Sequence, residues 1–256
     1  MTTLGMRIYY EDVNGHQIER VKLTKRQEEV CSLIVSVAKF FFRGGYALKG
    51  VPFRGFLLEG PPGNGKTEIA KQAVRRLSLE LGNVYLRFVD SARIARPEWG
   101  RAEENLREMF LVPEDKRVVL LLDDIECLFI RRGVEIAREW HYSINAQLLH
   151  MLDWLDPHRL IVIATTNRPD LIDDALRSRL HTIEVPPPSF DELIEIAKEL
   201  LNRSWPKVGK VANDNAMKEK VLVSIIEGLK RRKNPSIRDV QDLITVECIR
   251  WGIWRA

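Results

Sequence analysis

The sequence predicts an α/β fold: a parallel sheet with helices on both faces, followed by a small all-α domain. Three observations predict it. Between Phe53 and Val185, unbroken apolar runs alternate with segments of helical periodicity. Strands buried on both faces read this way, and parallel pairing requires helical crossovers between them. A glycine-rich loop sits directly between one such strand and its helix. After Pro186-Pro187-Pro188 the strand signals stop and only helical spacing continues.

The elements follow in order. Residues 7–23 (RIYYEDVNGHQIERVKL) read as two short strands around Asn14-Gly15, a two-residue hairpin signal. Thr24 then caps a helix with Gln27 as its capping-box partner. Val30, Leu33, Ile34, Val37 and Ala38 fall at helical spacing, and Gly44-Gly45 end the element. The core alternates strand FRGFLLEG, helix KTEIAKQAVRRLSLELG, strand VYLRFV, helix RAEENLREMF, strand VVLLLDD, helix REWHYSINAQLLHMLDWL and strands LIVIAT and HTIEV. Three helical segments close the chain: DELIEIAKELLNR, KEKVLVSIIEGLKRR and SIRDVQDLITVECIRWGIW. The expected domains are an N-terminal hairpin and helix over 1–50, an α/β domain over 51–188 and a small helical domain over 189–256.

Composition narrows the function classes. At 256 residues and 45% hydrophobic the chain can bury a real core. Its three cysteines, Cys31, Cys127 and Cys248, are far apart, which argues against a disulfide framework or a zinc site and fits a reducing compartment. The first residues are polar and turn-rich rather than a leader, and no apolar stretch approaches the roughly 20 residues of a membrane span. The expectation is a soluble, cytoplasmic protein. Net charge is +4 and the pI about 9.0, but 40 basic and 36 acidic residues are mixed along the chain, as on an ordinary solvated surface.

GPPGNGKT, residues 60–67, has the pattern G-x-x-x-x-G-K-[ST] between a strand and a helix, as in P-loop NTPases. Gly60, Gly63 and Gly65 let the backbone of the loop, which also holds Pro61, Pro62 and Asn64, fold tightly enough to aim its N–H groups at phosphates. The helix N-terminus adds its dipole. Lys66 is placed to reach the β- and γ-phosphates of ATP, and the Thr67 hydroxyl to bind Mg²⁺. VVLLLDDIE, residues 118–126, supplies the second carrier of that ion: Asp123 ends an apolar strand at the sheet edge that holds the loop.

These motifs resemble the AAA+ ATPases, and the AAA clade in particular. IVIATTNRPDLIDDAL, residues 161–176, is similar to that clade's ATNRPDxLDxAL segment. The resemblance implies that Asn167 is sensor 1, which places the attacking water and reads the γ-phosphate; an Asn-Arg-Pro turn is the plain alternative. RSRL, residues 177–180, stands where the family carries arginine fingers that reach the neighbouring subunit's γ-phosphate, with Arg179 first choice and Arg177 second. A further Arg usual in the clade is Thr182 here. NPSIRDV resembles sensor 2 with Arg238 as its residue, a feature of initiators and clamp loaders rather than of the AAA clade. Asp12-Val13-Asn14-Gly15 is similar to a segment near the adenine pocket, an alternative to the hairpin.

The family has Asp-Glu where this chain has Asp123-Asp124. The resemblance makes Asp124 the base that polarises water, one methylene shorter than usual, with Glu126 close by. A general base must come within roughly 2.6–3.2 Å of its proton, and a misplacement of about 1 Å costs on the order of 10²-fold. Slow turnover, or a hydrolysis-poor nucleotide switch, is therefore an open alternative. The resemblance further implies a homo-oligomeric ring, usually a hexamer, that remodels or unfolds a protein substrate, directly or through an adaptor. Trp99 is the candidate pore residue, with burial against the next helix as the plain alternative, and Arg131-Arg132-Gly133 is a second candidate loop. A DNA-linked loader or initiator is the competing function, drawn from Arg238, the pI and the run Lys230-Arg231-Arg232-Lys233. That run also suits a helix C-terminus.

Overall fold

A computed structural model describes residues 11–46, 53–91, 101–127, 139–206 and 214–254. Trp99, Arg131, Arg132 and Gly133 lie outside the described residues. The chain divides into two compact units, one drawn from residues 1–21, 27–60 and 66–185, the other from 22–26, 61–65 and 186–256.

The first unit is built on a six-stranded sheet of order β1-β3-β4-β5-β2-β6. Its strands are β1 (Glu11–Asn14), β2 (Gly55–Glu59), β3 (Val84–Asp90), β4 (Arg117–Asp123), β5 (Leu160–Thr166) and β6 (His181–Glu184). β2 to β6 pair in parallel, and only β1 is antiparallel. Helices α1 (Lys25–Phe42), α2 (Lys66–Leu81), α3 (Arg101–Phe110), α4 (Glu139–Asp153) and the single-turn α5 (Asp174–Arg177) connect or flank the strands.

The apolar runs are explained by burial on both faces. Val118, Leu120 and Leu122 of β4 and Val162 and Ala164 of β5 pack with Leu106, Met109, Ile144, Leu148 and Leu152 of α3 and α4. The alternate residues Val119, Leu121, Ile161 and Ile163 are equally buried. α2 contacts β3, β4 and β5 and buries Ile69, Ala70, Ala73, Val74 and Leu77. At about 25 cal/mol per Å² of apolar surface, this two-sided core is the main stabilising term.

The Asn14-Gly15 hairpin does not form. β1 pairs with β3 in the register Glu11–Phe88 to Asn14–Tyr85, and Gly15–Gln17 is a 3-10 turn whose His16 N–H donates to the Asn14 side chain. The reason lies in Arg87. It is buried in β3, donates Nε and Nη2 to the two Asp12 oxygens at 2.7 Å, and donates Nη1 to the carbonyls of Met109 and Leu111. A buried guanidinium needs a counter-charge. Asp12 can supply it only if β1 runs along β3.

The second unit is helical apart from its short segments. α6 (Phe190–Ser204), α7 (Asn215–Lys230) and α8 (Ile237–Arg250) bury Leu193, Ile196, Leu201, Val221, Ile225, Leu229, Val240 and Ile244 around one core. These residues recur three or four apart, the spacing of one helix face. Ser189 opens α6 with a capping box to Glu192, and Ser236 opens α8 with one to Asp239. Among the described residues, no helix is long and apolar enough to cross a membrane.

Candidate nucleotide site

β2 ends at Glu59 and α2 begins at Lys66, so the loop between them lies at the C-terminal edge of the sheet, as the sequence predicts. Gly60 has φ 154°, and a Cβ there would meet the Val185 carbonyl oxygen at 2.3 Å. Only glycine allows the chain to leave β2 this close to the end of β6. Gly65 then takes φ 77°, which turns the chain into α2.

Lys66 is 6% exposed. Its Nζ donates to the Gly60 carbonyl and to Asn167 Oδ1, both at 2.7 Å. Asn167 follows β5 directly, and its Nδ2 donates to Asp124 Oδ1 at 2.7 Å. Its main-chain N–H donates to Glu126 Oε1 at 3.1 Å. The amide thus links the lysine to the carboxylate that the sequence nominates as base.

The two residues expected to hold Mg²⁺ also meet. Thr67 Oγ1 donates to Asp123 Oδ1 at 2.7 Å. This arrangement leaves the hydroxyl lone pairs and the second carboxylate oxygen available as hard oxygen donors. That donor set fits Mg²⁺. Thr165, in β5, also donates to Asp123 Oδ1, at 2.8 Å, and accepts the Asp124 N–H at 3.1 Å. Asp124 adopts the left-handed backbone, φ 51°. Burial, with the negative charges of Asp123 and Glu126 next, pushes its carboxyl above the ordinary aspartate value, and Lys66 opposes the shift.

The remaining site residues lie elsewhere in their units. Arg179 follows α5. It donates Nε and Nη2 to Asp153 at 3.0 and 2.9 Å and Nη1 to the Ala175 carbonyl at 2.8 Å. Asp153 is shared with Arg54, whose Nη2 lies 2.8 Å away. Arg177 donates to the Pro169 carbonyl and pairs with Glu59 at 2.9 Å. In the second unit, Arg238 occupies the first turn of α8, and the Ile237 N–H donates to the Gly63 carbonyl at 3.2 Å. A Cβ on Gly63 would lie 2.7 Å from Ser236 Oγ and 3.4 Å from the Arg238 Cβ. Sequence reasoning missed Thr165, Asp153 and Arg54. Only Thr165 carries a signal, a hydroxyl one residue beyond an all-apolar strand run.

With the loop, the Thr67–Asp123 pair and Asn167 in position, the comparison with known proteins is decisive. A family model described as "ATPase family associated with various cellular activities (AAA)" matches residues 56–187. The chain belongs to the AAA family. An "AAA ATPase forming ring-shaped complexes" of Corynebacterium urealyticum is 30% identical over 196 residues, 70% of this AAA chain and 36% of the relative. A "Cell division cycle protein 48 homolog" of Archaeoglobus fulgidus is 34% identical over 191 residues, 74% of this chain and 23% of the relative. A "Proteasome-activating nucleotidase" of Thermococcus gammatolerans is 32% identical over 202 residues, 75% of this chain and 47% of the relative. The AAA chain spans less than half the length of each of these relatives.

Proposed function

We propose that this AAA chain binds ATP with Mg²⁺ and hydrolyses it within an oligomeric ring, using the cycle to remodel or unfold a protein substrate. The observation that carries the reading is the continuous hydrogen-bonded chain Lys66–Asn167–Asp124 beside the Thr67–Asp123 pair. In this reading residues 51–188 form the nucleotide-binding domain and 189–256 the lid.

Gly63, Asn64 and Gly65 offer main-chain N–H groups to the phosphates, Pro61 and Pro62 have none and only shape the loop, and Lys66 exchanges its protein acceptors for β- and γ-phosphate oxygens. Thr67 and Asp123 would hold Mg²⁺, and the ion would supply charge neutralisation at the phosphates. Asn167 keeps Asp124 Oδ1 engaged through Nδ2, which leaves Oδ2 to take the proton of the attacking water. Arg179 of one subunit stabilises the charge developing on its neighbour's γ-phosphate, and Arg238 contributes from the lid.

A protein substrate is favoured over DNA by the similarity to a proteasome-activating nucleotidase. The basic run at 230–233 has a local explanation too: Lys230 closes α7, and Arg232 pairs with Asp239. The test compares ATP binding and phosphate release. Lys66→Ala loses ATP binding. Asp124→Asn keeps it but loses hydrolysis by about 10²-fold or more, the usual worth of a general base. Hydrolysis undiminished in Asp124→Asn contradicts the assignment of the base. Binding to duplex DNA with a steep salt dependence contradicts the choice of substrate.

A further inference from the structure

Asp124 is a short carboxylate, and its usefulness depends on where the main chain puts it. Both of its main-chain groups are tied down. The N–H donates to Thr165 Oγ1 at 3.1 Å, and the carbonyl accepts from the Cys127 N–H at 3.0 Å. The residue between these two bonds sits at φ 51°, a region that aspartate tolerates but does not prefer. Thr165 itself is 1% exposed. Its single hydroxyl proton goes to Asp123 Oδ1 at 2.8 Å, so its oxygen faces Asp124 as an acceptor. β4 and β5 are paired in parallel with Leu122 opposite Ala164, which brings Thr165 alongside the two aspartates.

We propose that Thr165 is a positioning residue for hydrolysis: by bridging Asp123 Oδ1 and the Asp124 N–H it holds the Asp124 main chain in the left-handed turn that lets the shorter carboxylate reach the attacking water. The inference rests on the reading of Asp124 as base. Valine has the shape of threonine without the hydroxyl, so Thr165→Val removes the acceptor and leaves the packing. The Asp124 N–H then loses its partner, and the turn relaxes toward ordinary backbone. Glutamate at 124 has one more methylene and less need of the turn.

The experiment is a double-mutant cycle on the full chain. Phosphate release at saturating Mg-ATP is measured for wild type, Thr165→Val, Asp124→Glu and the double variant, with Thr165→Ser as the conservative control. ATP affinity and melting temperature are recorded alongside. Thr165→Val is expected to lower kcat by on the order of tenfold to 10²-fold, the scale of a misplaced catalytic group. KM should change little, and Thr165→Ser should recover most of the rate. In the Asp124→Glu background the loss should shrink to within about threefold, a non-additivity that marks two residues acting together. An equal loss in both backgrounds overturns the proposal, as does a Thr165→Ser variant no better than Thr165→Val. If Thr165→Val does not fold, Thr165→Ala takes its place in both backgrounds and is judged by the same two criteria. Full activity in Asp124→Asn overturns the reading of the base instead, and the two failures are told apart by that variant.

Discussion

At the scale of single residues, the arginines are as informative as the carboxylates. A guanidinium has five N–H donors, and Arg179 spends three on Asp153 and Ala175. Two would remain for a neighbour's phosphate, so the bonds to Asp153 are compatible with the proposed role. They also have a consequence for stability. The hydrogen bond from Arg179, and Arg54 beside it, hold the Asp153 carboxyl below the usual aspartate value. The hydrogen bond from Arg76 does the same for Glu28. A carboxyl depressed in the folded state binds fewer protons there than in the unfolded chain. Its stabilisation is present above the unfolded value and is lost as pH falls through the folded one. The melting temperature should therefore fall from about pH 4.5 downward, near the ordinary carboxyl values of 4.5 and 3.8. Asp153→Asn combined with Glu28→Gln should flatten that acid limb. An unchanged limb in the double variant shows that these pairs do not carry it.

At the scale of elements, the legible parts were those set by local physics. Period and burial wrote β2, β4, β5 and the long helices into the sequence, because a strand buried on both faces has little choice but to be apolar throughout. The phosphate loop was legible for the same reason: its glycines are dictated by backbone geometry at Gly60 and Gly65. The hairpin misreading has a different origin. Asn14-Gly15 is a good local turn signal, but Asp12 is bound to Arg87, whose position in the fold no local pattern reveals. Asp153 and Arg54 were illegible likewise, since their partners come from other elements, and Thr165 offered only its hydroxyl at the end of an apolar run. Caps are local again, and they give an element-scale prediction. Ser189 accepts the Glu192 N–H, and the Glu192 side chain returns the bond to the Ser189 N–H. Ser189→Ala should cost about 0.5–2 kcal/mol, read by denaturant titration of the helical unit. No change in the midpoint contradicts the assigned cap.

At the scale of the whole molecule, the two units have separate apolar cores, and each carries candidate site residues. Lys66, Thr67, Asp123, Asp124 and Asn167 belong to the first unit, and Gly63 and Arg238 to the second. If Arg179 serves a neighbouring subunit, no isolated chain has a complete set. The measurement that tests this most directly is phosphate release per chain as a function of protein concentration, for wild type and Arg179→Ala. The account predicts that wild-type activity per chain rises with concentration to a plateau, and that Arg179→Ala stays at least about 10³-fold below that plateau while still binding ATP. Activity per chain independent of concentration, and unaffected by Arg179→Ala, would contradict hydrolysis between subunits.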